Sequence, residues 1–236
     1  MDCHMLSTAS TANLRRPFLA VAMIGAAAFA ASATVSADST ELPITHIAAG
    51  KFPALKTKTS NANFALDGAA GNAVMRSRYG TESSPTNEKT YVFGYQLELK
   101  ATYGVNGTPG VTAVTLDLPT PPPLVTAKAL PEDTRIYVID EASDADGGVD
   151  LRSAALVDGK IVFTFTAPVK AGKKPGDGQH SLWFGLVTSF RAKHGQMALA
   201  AAVPDQKKTG TQQKAVAATE PQTVDVLLPM PLTDSN

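Results

Sequence analysis

Asp140, Glu141, Asp144, Asp146 and Asp150, with Gly147-Gly148 among them, form the densest set of chemically capable side chains in the sequence. Hard cations take several oxygen ligands from a loop able to curl around them. Carboxylates at alternating positions, with glycine at the sharp bend, supply that geometry, so these five acids are the expected ligands of a structural calcium ion. The competing reading is a solvated acidic turn in which the glycines only provide positive φ.

The spacing departs from the EF-hand pattern. With Asp144 and Asp146 at its third and fifth positions, Ala142 falls at the first and Ser153 at the twelfth, where a bidentate Glu belongs. Closely spaced Asp residues on one turn also suit a metal better than the acid and base of a glycosidase, which must flank a substrate. His46, His180 and His194 are too far apart in sequence to make a local metal pair and read as surface or loop residues. A hydrolase would need one of them beside an acid and a nucleophile in one cleft, and there is no Gly-x-Ser-x-Gly elbow to present that nucleophile. Phosphate-cradling and dinucleotide-binding glycine loops are also lacking.

Trp183 is the one tryptophan. In the run 181–190, Leu182, Phe184, Leu186 and Phe190 share one face and Trp183 takes the other beside Gly185. An outward Trp next to a glycine is a candidate sugar-stacking platform; the alternative is a Trp buried by a second layer or by the loop 167–180. Lys170, Lys173 and Lys174 in that loop read as a solvated basic tip, weakly attractive to anionic polysaccharide or lipid headgroups.

The elements that must position these residues read as β. From Tyr91 the residues Phe93, Tyr95, Leu97, Leu99, Ala101 and Tyr103 alternate with Gly94, Gln96, Glu98, Lys100 and Thr102, which predicts a half-buried strand. The pattern resumes over 111–118 after Asn106-Gly107, and the two runs are expected to pair as a hairpin. Asp158-Gly159 predicts a two-residue type I′ turn that pairs Val157 with Lys160 and Leu156 with Ile161. That register places Ala154, Leu156, Ile161, Phe163 and Phe165 on one face. Further strands are expected at 135–140, 181–190, 197–203 and 223–228. Residues 38–88 read as an irregular segment of loops and an edge strand packing on the main domain, 89–228, and 229–236 as a tail. The prolines over 120–123 read as an extended crossover between sheets, and 212–219 tolerates a turn or two of helix. The expected fold is all-β: an antiparallel two-sheet β-sandwich, jelly-roll or Ig-like.

Ahead of this lies an address. Arg15-Arg16 precede an apolar run over 18–31, and Val35-Ser36-Ala37 offers a small-residue cleavage site, so residues 1–37 are expected to be a signal peptide. Arg15-Arg16-Pro17-Phe18-Leu19 resembles a twin-arginine export signal, with Leu14 and Ala20 departing from that pattern, and ordinary Sec export is the other route. Removing 37 of the 236 residues leaves 199, and losing Arg15, Arg16 and Asp2 takes 21 basic and 21 acidic side chains to 19 and 20. Cys3 leaves with the signal, so the processed chain would have neither disulfide nor thiol chemistry.

Balanced charge argues against nucleic acid, which demands clustered excess Lys and Arg. These features together point to an exported, non-enzymatic binding or structural module, periplasmic or extracellular. It would have no transmembrane segment once the signal is cleaved, and its partner would be an envelope or extracellular protein or polysaccharide. The alternatives are a carbohydrate-binding module using Trp183 and a secreted hydrolase.

Overall fold

Asp158 and Gly159 adopt positive φ, 48° and 79°, as a two-residue turn of this type demands. The strands on either side pair Val157 with Lys160, Leu156 with Ile161 and Ala154 with Phe163, the register expected from the sequence. This hairpin belongs to a computed structural model that describes residues 39–53, 57–83, 89–105, 107–140, 148–202 and 221–231. The signal-peptide segment and the 212–219 turn lie outside the described residues.

The described residues form an all-β structure. In chain order the strands are β1 (Thr40–Leu42), β2 (Ile44–Ala48), β3 (Thr57–Phe64), β4 (Ala69–Ala70), β5 (Ala73–Ser83), β6 (Lys89–Glu98) and β7 (Tyr103–Gly104). They continue as β8 (Gly110–Leu116), β9 (Ile136–Asp140), β10 (Leu151–Val157), β11 (Lys160–Lys170), β12 (Trp183–Thr188), β13 (Arg191–Ala202) and β14 (Gln222–Met230). A 3-10 turn, Ala49–Lys51, follows β2. Among the described residues no helix is long and apolar enough to cross a membrane.

Two six-stranded sheets result, the first ordered β1, β10, β11, β8, β13, β14 and the second β2, β9, β12, β6, β5, β3; β4 and β7 make a small third. All pairings in the first sheet are antiparallel, whereas β2 joins β9 in parallel. The inward faces of both sheets meet in one core. Phe184 of the second sheet lies 5.0 Å from Phe163 and 5.7 Å from Phe165 of the first, centroid to centroid. Such aromatic pairs add about 0.5–1.5 kcal/mol each beyond the area they bury.

Two junctions hold the sheets together at their edges. On one side β1 and β2 are separated only by Pro43, so the chain turns from the first sheet into the second through one residue. On the other side the edge strand β14 lies against β3 and β5. There the Leu227 amide donates to Ser77 Oγ (3.1 Å) and the Leu227 carbonyl accepts from Tyr95 Oη (3.0 Å). Those backbone groups would otherwise be unpaired in a buried edge.

Three expectations are corrected. The runs 91–103 and 111–118 are not a hairpin: β6 pairs with β5 and β12 in the second sheet, and β8 with β11 and β13 in the first. Inward alternation is the same whether two strands lie side by side or face each other across a core, so the pattern could not decide between them. Nor is β6 half-buried, because Val92, Gly94 and Gln96 on its other face are also buried. A second apolar cluster lies on that face, in which Val92, Val187, Tyr137, Ile139 and Ile47 of the sheet pack with Ala127 and Leu130 of the β8–β9 connection. Residues 38–88, finally, supply five strands, and β5 is interior to its sheet. Their inward positions include Ser60, Ala62 and Ser77, too small and polar to stand out as an apolar stripe.

Other strands lie close to expectation. The run 135–140 appears as β9, 181–190 as the shorter β12, 197–203 as the longer β13 and 223–228 as β14, which extends through Pro229 and Met230. The proline stretch lies in the connection from β8 in the first sheet to β9 in the second.

Candidate functional site

Period-two alternation along β5 turns Met75, Ser77 and Tyr79 toward β14 and the core and sends Arg76 and Arg78 to the opposite, outer face. On β6, Gln96 pairs with Arg76 and Gly94 with Arg78; on β12, Gly185 pairs with Gly94; on β9, Tyr137 pairs with Gly185. Arg78 and Tyr137 thus face each other across two glycines. A Cβ on Gly185 would sit 1.8 Å from the Phe93 carbonyl oxygen and 2.8 Å from Tyr137 Cζ. A Cβ on Gly94 would lie 3.2 Å from Tyr137 Oη and 3.1 Å from Arg78 Nε. The bare backbone lets both long side chains lie down on the sheet.

Tyr137 Oη donates to the Phe93 carbonyl at 2.7 Å, and Phe52, carried just past the 3-10 turn, packs on the Tyr137 ring at 5.3 Å. The Arg78 guanidinium then lies over two rings, 4.0 Å from the Trp183 centroid and 5.3 Å from that of Phe52. Burial lowers the Arg78 pKa, an effect partly offset by Tyr137, and raises that of Tyr137 well above the usual phenol value, against the smaller opposing effect of Arg78. Cation–π contact of this kind contributes about 0.5–2 kcal/mol, more as water is excluded.

Around this stack the neighbours are engaged. Arg76 forms an ion pair with Glu98, and its buried Nε has no partner among the described residues. Gln96 Nε2 donates to the Ser181 carbonyl at 3.2 Å, while Ser181 Oγ accepts from the Leu97 amide at 3.0 Å. Thr59 and Asn61 on β3, paired with Arg78 and Arg76, are exposed. The arrangement combines a planar cation, aromatic surfaces and exposed hydroxyl and amide groups on a sheet face.

Trp183 lies between its two expected environments. It is half-buried against the second cluster, and Arg78 occupies one face of its ring, so that face offers no open platform. The acidic run is only partly described. Asp140 Oδ1 meets His46 Nδ1 at 2.9 Å, and Asp150 Oδ1 accepts from the Leu151 amide at 2.6 Å. Glu141, Asp144 and Asp146 lie outside the described residues. Among the described residues no three His, Cys, Asp or Glu side chains are grouped to hold a metal.

The histidines are distributed over different places. His46 is on β2 in the second sheet; His194 is on β13 in the first, with its Nδ1 3.6 Å from Asp225 Oδ2; His180 is buried. Lys173 and Lys174 are exposed, as a solvated tip requires. A shallow hollow at the Pro43 corner is lined by Glu41, Leu42, Ile44, Arg152 and Ser153, and there Arg152 donates to the Thr166 carbonyl at 2.9 Å.

Sequence reasoning singled out Trp183 but not Arg78, Tyr137 or Phe52. The alternation of Arg76 and Arg78 with Met75, Ser77 and Tyr79 was the available signal for two outward cations on one strand. Nothing local connects Phe52 to Trp183, which only the fold brings to the same cation. No family model, curated protein or solved structure matches the chain.

Proposed function

We propose that the chain is an exported, non-enzymatic β-sandwich, jelly-roll or Ig-like in arrangement, that acts as a binding or structural module of the periplasm or the extracellular space. The signal-like residues 1–37 support the export reading, by the twin-arginine or the Sec route. The shared core between two six-stranded sheets supports the sandwich. The observation that carries the binding reading is the half-buried Arg78 set over the rings of Trp183 and Phe52, on the outer face of a sheet whose neighbouring strand β3 exposes Thr59 and Asn61.

That face favours polysaccharide as the ligand. Aromatic rings, a guanidinium and side-chain hydroxyls and amides are the groups that meet sugar rings and their hydroxyls. Co-sedimentation of the purified protein with a panel of insoluble and cross-linked polysaccharides, neutral and acidic, tests it. Retention on at least one is expected, lowered about tenfold in Trp183→Ala with the far-UV circular dichroism unchanged. Retention unaffected by Trp183→Ala would move binding off this face; no retention on any would remove the binding reading.

The acidic run carries the calcium part of the proposal, with Asp140, Glu141, Asp144, Asp146 and Asp150 as ligands; its support is the carboxylate and glycine pattern. Added Ca²⁺ should raise stability by about 2.7 kcal/mol at a hundredfold excess over Kd, read as a shift in thermal midpoint. The double variant Asp144→Ala with Asp146→Ala should abolish that gain. A midpoint indifferent to Ca²⁺ leaves a solvated acidic turn.

A further inference from the structure

Arg76 and Arg78 project from the same face of β5, yet their situations differ. Arg76 is matched by Glu98 on the adjacent strand. Arg78 makes no ion pair and no hydrogen bond to any described residue; its guanidinium lies over the rings of Trp183 and Phe52, with the Tyr137 phenol nearby across Gly94. The N–H donors of a guanidinium lie in its own plane, around its edge. In Arg78 that edge is free of protein acceptors among the described residues, and the side chain is only half-buried. Contact with two rings restricts the side chain, so less freedom is lost when the fork engages an acceptor.

We propose that the edge of the Arg78 guanidinium receives a carboxylate carried on an acidic polysaccharide, a polyuronate-type chain running across the outer face of β6, β5 and β3. This rests on the polysaccharide-binding reading above and gives it a ligand class. A planar carboxylate matches the fork in bidentate fashion. Thr59 and Asn61, paired with Arg78 and Arg76, are exposed on the edge strand β3 of the same face, while the guanidinium reaches the other way, over Gly94 of β6 toward Trp183. They supply a hydroxyl and an amide for sugar units further along the same face, on the β3 side of the charge. Among the described residues, the ion pair of Arg76 with Glu98 leaves Arg78 as the uncompensated cation of this group. One positive charge without an ion-pair partner among the described residues suits an anionic sugar unit better than a densely charged phosphate polymer, which calls for several clustered cations.

Trp183 is the sole tryptophan and touches Arg78, so its emission reports on this site directly. The purified protein is titrated with polygalacturonate, with dextran as a neutral chain, and with sodium phosphate and sodium galacturonate as free anions. The expected result is a saturable Trp183 change with polygalacturonate that weakens as salt rises, with dextran and the free anions at least tenfold weaker. Arg78→Lys, which keeps the charge and loses the planar fork, should weaken binding at least tenfold, and Arg78→Gln should abolish it. Lys160→Gln, on the first sheet, should bind as the parent does. Thermal melts of each variant confirm that the loss is not unfolding.

Equal binding of dextran would overturn the carboxylate assignment while leaving the polysaccharide-binding reading in place. Equal response to free phosphate at matched anion concentration would mark a simple anion site and overturn the acidic chain as ligand. Undiminished binding in a folded Arg78→Lys would overturn the fork. Failure of every chain, neutral and acidic, to bind by fluorescence and by co-sedimentation would remove both readings.

Discussion

Tyr95 and Tyr137 are fully buried phenols, each donating to a backbone carbonyl, of Leu227 and Phe93 respectively. Burial raises both pKa values above the usual range; Tyr137 adds to the shift at Tyr95, and Arg78 slightly opposes it at Tyr137. A phenol that stays protonated in the folded protein but ionises when unfolded contributes stability that is complete below about pH 10, the unfolded value. Above that the unfolded state binds fewer protons, so stability falls with rising pH, by about 1.4 kcal/mol per pH unit for each such group. Denaturation curves between pH 8 and about pH 11.5 should therefore show a steep alkaline loss, shallower in Tyr95→Phe. The same variant should lose about 1–3 kcal/mol at neutral pH, because it leaves the Leu227 carbonyl buried without its donor. A variant with unchanged stability and an unchanged alkaline slope would show that the bond to Leu227 contributes nothing.

Among the elements, the β10–β11 hairpin was legible because two independent constraints coincide on it. Asp158-Gly159 needs positive φ, and the register this turn imposes sends Ala154, Ile161 and Phe163 to one buried face. For β6 and β8 only the alternation was available, and alternation does not name the neighbouring strand. In β3 and β5 even that signal was faint, since Ser60, Ala62 and Ser77 are small so that β14 can come close. Within the site, Trp183 stood out by its rarity, whereas an outward Arg on a strand reads as ordinary solvated charge until the fold supplies its rings. Glycines in the two settings should behave differently. Gly185→Ala would drive a methyl group into the Phe93 carbonyl and the Tyr137 ring, wedging β12 from β6. It should cost about 3 kcal/mol or more, measured as a shift in urea midpoint. Gly159→Ala, with its nearest contact at 3.5 Å on Pro121, should cost only the φ penalty of about 1–2 kcal/mol. Equal costs would mean that the close approach at Gly185 is relieved by movement of the strands.

For the whole molecule, the two junctions differ in kind. The Pro43 side is joined by chain continuity, whereas the β14 side is joined by hydrogen bonds across 132 and 150 residues of sequence, from Leu227 to Tyr95 and to Ser77. The other side also relies on distant partners, since β1 pairs with β10 and β2 with β9. Contacts so far apart in sequence close slowly, because the intervening chain must be gathered before any reward is felt. A polypeptide appearing N-terminus first therefore exposes the inner faces of β3 and β5 until β14 has emerged. A chain halted before residue 222 lacks the strand that shuts the second side.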